Sequence, residues 1–121
     1  MSRRETIAKL NDQLRARVGV PVFLGANEPQ LGTILMTHGI MALEAEQIVD
    51  VWMRVRSFSA FTEDNDPYGE HDFGSIILAT GERVFFKIDY YTDDSFSAGA
   101  EDPADPAKSY RVLTIMLAEE Y

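Results

Sequence analysis

Carboxylates and a single lysine dominate the chemistry this chain could perform. Between Phe61 and Gly74 the sequence reads FTEDNDPYGEHDFG, which places Glu63, Asp64, Asp66, Glu70 and Asp72 beside Asn65, Tyr68 and His71. Hard carboxylate oxygens at this density suit a divalent cation or a basic protein surface. Two further polar stretches follow, FKIDYY at 86–91 and EDPADP at 101–106.

Strand register decides whether the first two sets meet. If Thr80-Gly81 is a two-residue hairpin turn, Ala79 faces Glu82 and, counting outward, Gly74 faces Lys87 and Asp72 faces Asp89. The two-residue period then puts Lys87, Asp89 and Tyr91 on the face of Asp72. Such a set supports a divalent-metal-dependent hydrolase. Glu70, Asp72 and Asp89 would hold Mg²⁺ or Mn²⁺, with Asp72, Lys87 and Asp89 as the catalytic group and the lysine countering developing negative charge. The same residues equally suit a structural Asp–Lys–Asp network at the mouth of a sheet.

Recognised catalytic motifs are absent: no phosphate-binding glycine loop, no H-E-x-x-H and no G-x-S-x-G occur. Asp64-x-Asp66-x-Tyr68-Gly69 opens like a calcium loop, but Ser75 stands where the bidentate glutamate belongs. With no cysteine, thiolate metal sites and disulfides are excluded.

The preferred reading is therefore a non-catalytic protein-binding or inhibitor module that needs no cofactor. Residues 61–107 hold twelve acids against Arg83 and Lys87, within a net charge of −9. Glu63, Asp64, Asp66, Glu70, Asp102 and Asp105 would supply charge, and Tyr68, Tyr90 and Tyr91 apolar anchors. The partner implied is a basic protein surface, such as that of a nucleic-acid-binding protein. Direct contact with nucleic acid or an anionic membrane is disfavoured by charge.

The elements that must position these residues are legible in the periodicity. At 121 residues the chain is a single globular domain, 1–121. Ser2 and Glu5 form a capping box. Ile7, Leu10, Leu14 and Val18 then define an amphipathic helix over 3–17, its basic residues outward, with Gly19 as its stop. Val20, Val22 and Phe23 suggest a short extended piece. Residues 33–38 read as a strand, with His38 at its end. Ile48, Val51, Trp52, Val55 and Phe58 mark a second helix over 42–57, with Asp50 and Arg54 paired on its outer side.

A hairpin of 75–79 and 83–91, a single helical turn at 102–107 and a buried strand at 110–117 complete the chain. The order α-β-α-β-β-β predicts an α+β fold, a mainly antiparallel sheet of about four strands with both helices on one face. No stretch is long and apolar enough to span a membrane, and the reading is of a cytoplasmic protein.

Residues 61–74, residues 86–91, and residues 101–107 together with 111–117 (RVLTIML) resemble a family of small bacterial proteins known only as a domain of unknown function. The likeness is loose over 1–58 and close from Phe61 onward. It implies a bacterial cytosolic setting, alphaproteobacterial and often plasmid-borne, hence a mobile-element context. It carries over no reaction, ligand or catalytic residue.

Overall fold

The computed structural model describes residues 1–20 and 31–121. Elements follow the order α1 (Arg3–Arg15), β1 (Gly32–Met36), α2 (His38–Met41), α3 (Ala45–Ser57), β2 (Phe73–Ile77), β3 (Arg83–Tyr91) and β4 (Tyr110–Leu117). A 3₁₀ turn at Ala118–Glu120 follows β4. The class is α+β, as expected. Ser2 caps α1 by accepting the Glu5 amide at 3.1 Å, and the Asp50–Arg54 pair closes at 3.0 Å on α3. Of the proposed extended piece, Val22 and Phe23 lie outside the described residues.

The sheet order is β1-β4-β3-β2. β2, β3 and β4 pair antiparallel, whereas β1 runs parallel to β4. The sheet is thus mixed rather than purely antiparallel. The reason is topological: β1 and β2 form opposite edges, and α2 and α3 carry the chain between them, the kind of long crossover that parallel strands require.

One face of the sheet carries the core. Ile76 and Leu78, Val84, Phe86 and Ile88, and Leu113, Ile115 and Leu117 pack with Leu14 of α1, Ile40 of α2, and Val51 and Val55 of α3. Trp52 lies against this cluster and donates its indole N–H toward Met36 Sδ at 3.1 Å, a core anchor as its position on the stripe implied.

Three expectations need correcting. The strand at 33–38 stops at Met36, because Thr37 turns to cap α2 and His38 opens that short helix. Residues 102–107 form no helix; Asp102 and Asp105 each start a turn by accepting the amide two residues on, a habit of aspartate that competes with helix.

The hairpin register is also shifted by one. Phe73 faces Lys87, Gly74 faces Phe86, and the Ile88 amide donates to the Asp72 carbonyl at 2.8 Å. The turn holds three residues, Ala79, Thr80 and Gly81, with Gly81 at φ +90, the left-handed position of a three-residue hairpin. Gly74 locks this register. A Cβ there would stand 2.2 Å from the Phe86 ring, so only glycine lets that ring lie across the strand.

Candidate functional site

The acidic loop between α3 and β2 is folded against itself. Asn65 accepts the Thr62 amide at 2.8 Å and donates to the Ala60 carbonyl at 2.9 Å. Asp66 is 7% exposed. Its carboxylate accepts the amides of Glu70 and His71 at 3.2 Å each. Gly69 and His71 both take left-handed backbone, at φ +67 and +59. For His71 that conformation is sterically costly, and its ring contacts offset the cost. It stacks on Phe61 at 4.0 Å and nearly parallel, and Phe61 in turn meets Phe58 edge-on at 4.9 Å.

Beneath the loop runs a polar network that joins α1, β3 and β4. Asn11 lies on the buried stripe of α1 and is fully buried. Its amide nitrogen donates to the Glu70 carbonyl at 2.9 Å and to the Tyr90 hydroxyl at 2.8 Å, and its carbonyl accepts from Arg111 Nε at 2.6 Å. Arg111 is also fully buried. It donates to Ser109 Oγ and to the Pro103 carbonyl, with its guanidinium 5.2 Å from the centre of the Tyr90 ring.

A second knot lies one residue along α1. Asp12 accepts from Arg15 at 2.9 Å and faces His71 Nδ1 at 3.0 Å. Arg15 reaches the carbonyls of Val55 and Phe58 at 2.8 Å each, tying the end of α3 to α1. Among the described residues its Nε is the buried side-chain polar atom left without a partner.

Burial shapes the titration of this region. It raises the Asp72 carboxyl above its ordinary 3.8, reinforced by the negative charge of Glu70. Burial likewise raises the Tyr90 hydroxyl and lowers the Arg111 guanidinium. All three shifts express one fact: charge is disfavoured beneath the loop.

The expected site residues separate into groups. Glu63, Asp64 and Tyr68 are exposed at the crest of the loop. Asp66 is turned inward as a cap, Glu70 is partly buried with its carboxylate 3.4 Å from the Tyr90 hydroxyl, and Tyr90 belongs to the network below. Tyr91 points to the opposite side of the sheet, among Phe96 and Tyr110. Asp102 pairs with Arg3 at 3.3 Å besides starting its turn, and Asp105 starts the next.

The register shift also parts the proposed hydrolase residues. Asp72 bonds opposite Ile88 on the helix-covered side, while Lys87 and Asp89 lie on the other and pair with each other at 3.0 Å. Among the described residues no three histidine, aspartate or glutamate side chains are grouped as metal ligands.

Sequence reasoning passed over Asn11, Asp12, Arg15, His71 and Arg111 as members of one network. One signal was present. Ile7, Asn11, Leu14 and Val18 recur at helical spacing, so a polar Asn11 on an apolar stripe announces a buried partner. Arg15, expected to face outward with the other basic residues of the helix, is 5% exposed.

A family model described as "Protein of unknown function (DUF3768)" matches residues 36–120. The match takes in the acidic loop and β2, β3 and β4, with only Met36 of β1; α1, with Asn11 and Asp12, lies outside it. No curated protein and no solved structure matches the chain.

Proposed function

The chain belongs to the DUF3768 family, and we propose that it is a non-catalytic binding module whose acidic loop engages a basic protein surface. One observation carries this reading. Glu63, Asp64 and Tyr68 are exposed on a loop whose backbone is fixed from within by Asn65 and Asp66 and from below by Asn11. A preformed acidic crest loses little conformational freedom on binding, so its attraction is not consumed in ordering the loop. Neighbouring carboxylates reinforce one another within about 8 Å at physiological salt and steer a basic partner toward the crest. Tyr68 supplies an aromatic surface of the kind enriched at the centre of interfaces.

Calorimetric titration with an arginine- and lysine-rich peptide tests this. Wild type should bind, and Glu63→Lys with Asp64→Lys should weaken binding by at least about tenfold, since like charges brought together across an interface cost several kcal/mol. Asp102 and Asp105 are the useful comparison. Both are engaged in turns, so reversing them should alter stability more than affinity. Equal affinity in wild type and the Glu63/Asp64 variant would overturn the proposal.

A further inference from the structure

A strand at the edge of a sheet leaves one side of its backbone without partners, and β2 is such a strand. Its pairing with β3 shows which groups are left over. Leu78 donates its amide to the Glu82 carbonyl at 2.9 Å, and Ile88 donates to the Asp72 carbonyl at 2.8 Å. In an antiparallel pair the residues that exchange hydrogen bonds alternate, so Asp72, Gly74, Ile76 and Leu78 direct their backbone groups to β3. Phe73, Ser75 and Ile77 direct theirs away from the sheet. Among the described residues no strand, loop or side chain takes up those N–H and C=O groups.

Proteins ordinarily guard such an edge with proline, a charge, a bulge or a covering element. β2 reads FGSII. It has neither proline nor charge, and its register with β3 runs without a bulge. Ile77, at its outer end, is 52% exposed. An unguarded edge of this kind accepts another extended strand, backbone to backbone.

The pattern of the strand selects the occupant. Only outward-pointing residues can bond across the edge, so a second β2 laid antiparallel has few registers open to it. One register uses all of them: Ser75 faces Ser75 of the other copy, and Phe73 faces its Ile77 on both sides of a two-fold axis. A slip of two residues would leave a pair unmade. His71 has left-handed backbone at one end, φ +59, and Ala79 opens the turn at the other. In the full register Phe73 and Ile77 of the two copies are cross-strand neighbours on one side of the sheet. An aromatic beside a β-branched side chain is among the favourable pairs of an antiparallel ladder.

Charge permits this approach. The chain carries −9, and two copies meeting at their acidic loops would repel. Here Asp72 instead lies opposite Leu78 of the other copy. Its distance from that copy's Asp72 is about 20 Å along the strand, more than twice the roughly 8 Å over which exposed charges act at physiological salt. The acidic loops fall at opposite ends of the joined edge, each beside the uncharged Ala79-Thr80-Gly81 turn of the other copy.

We propose that the chain forms a two-fold dimer by pairing β2 with β2 of a second copy, Ser75 on the axis, so that two four-stranded sheets become one continuous sheet.

Position 75 faces itself across the axis, which makes charge a direct test. Sedimentation equilibrium of the full chain over a concentration series should carry wild type from 13.6 kDa toward twice that mass. Ser75→Lys and Ser75→Glu should each raise the dissociation constant at least about tenfold, because like charges directly opposite one another repel. Ser75 lies outside the core cluster, so both variants should keep the wild-type circular dichroism spectrum. An equimolar mixture of the two should dimerise at least as well as wild type, since lysine then faces glutamate. Amide exchange of the wild-type protein adds a readout that no substitution disturbs. Phe73, Ser75 and Ile77 should exchange fast when dilute and slow as concentration rises, while Gly74 and Ile76 stay protected throughout. Wild type that remains at 13.6 kDa, folded variants that dimerise as wild type does, a folded pair whose mixture fails to recover, or edge amides that stay fast in the dimer would each overturn the proposal.

Discussion

At the scale of single residues the chain turns on Asn11. Its amide donates to the Glu70 carbonyl and the Tyr90 hydroxyl, and its carbonyl accepts from the Nε of the fully buried Arg111. Asn11→Ala should therefore destabilise the protein by about 2–4 kcal/mol, well above the loss of one exposed hydrogen bond, because a buried guanidinium is left short of an acceptor. Urea unfolding checks this, and a cost below about 0.5 kcal/mol would show the network to be incidental.

Asp72 predicts a change of the opposite sign. Its folded pKa lies above the ordinary 3.8, so at neutral pH it is ionised in surroundings that resist charge. As pH falls through the folded value the native state takes up the proton before the unfolded state does, and the penalty vanishes. Asp72→Asn should thus raise the melting temperature at pH 7, with the gain shrinking toward pH 4. A gain equal at both pH values would contradict this origin. The acidic composition of the loop was plain in the sequence. That Asp66 and Asp72 would differ so much in surroundings was not, because burial is set by α1, some sixty residues away in the chain.

At the scale of elements, apolar patterning located both long helices and all four strands, the helices and the hairpin from a stripe or alternation of their own and β1 and β4 from short apolar runs. The hairpin register escaped because turn length was inferred from Thr80-Gly81 alone. Whether a loop has two or three residues moves every facing pair by one. The physical arbiter is Gly74, whose missing side chain admits the Phe86 ring, and that fit is visible only once the strands are side by side. Gly74→Ala should cost about 1–3 kcal/mol through overpacking. Gly81→Ala has open space around it and should cost only about 1 kcal/mol, through its left-handed backbone. Equal costs at the two positions would contradict the roles assigned to them. The parallel pairing of β1 with β4 was likewise hidden, for a short apolar strand carries no mark of its direction.

At the scale of the whole molecule, the sheet separates two surfaces of different character. On the helix side an acidic loop is braced against α1; on the other, ring clusters around Phe85 and Tyr91 flank the Lys87–Asp89 pair. Net charge forecast the first surface, because twelve acids in forty-seven residues cannot all be buried. It could not forecast the second, since the alternation that fills a core and the alternation that paves an open face look alike until the helices are placed. The central claim, that the braced acidic crest captures a basic partner, is tested most directly by stopped-flow association with the arginine- and lysine-rich peptide across a series of salt concentrations. Wild type should associate fast and slow steeply as salt rises, while Glu63→Lys with Asp64→Lys should be slow and respond much less to salt. Identical rates and identical salt dependence in the two proteins would contradict it.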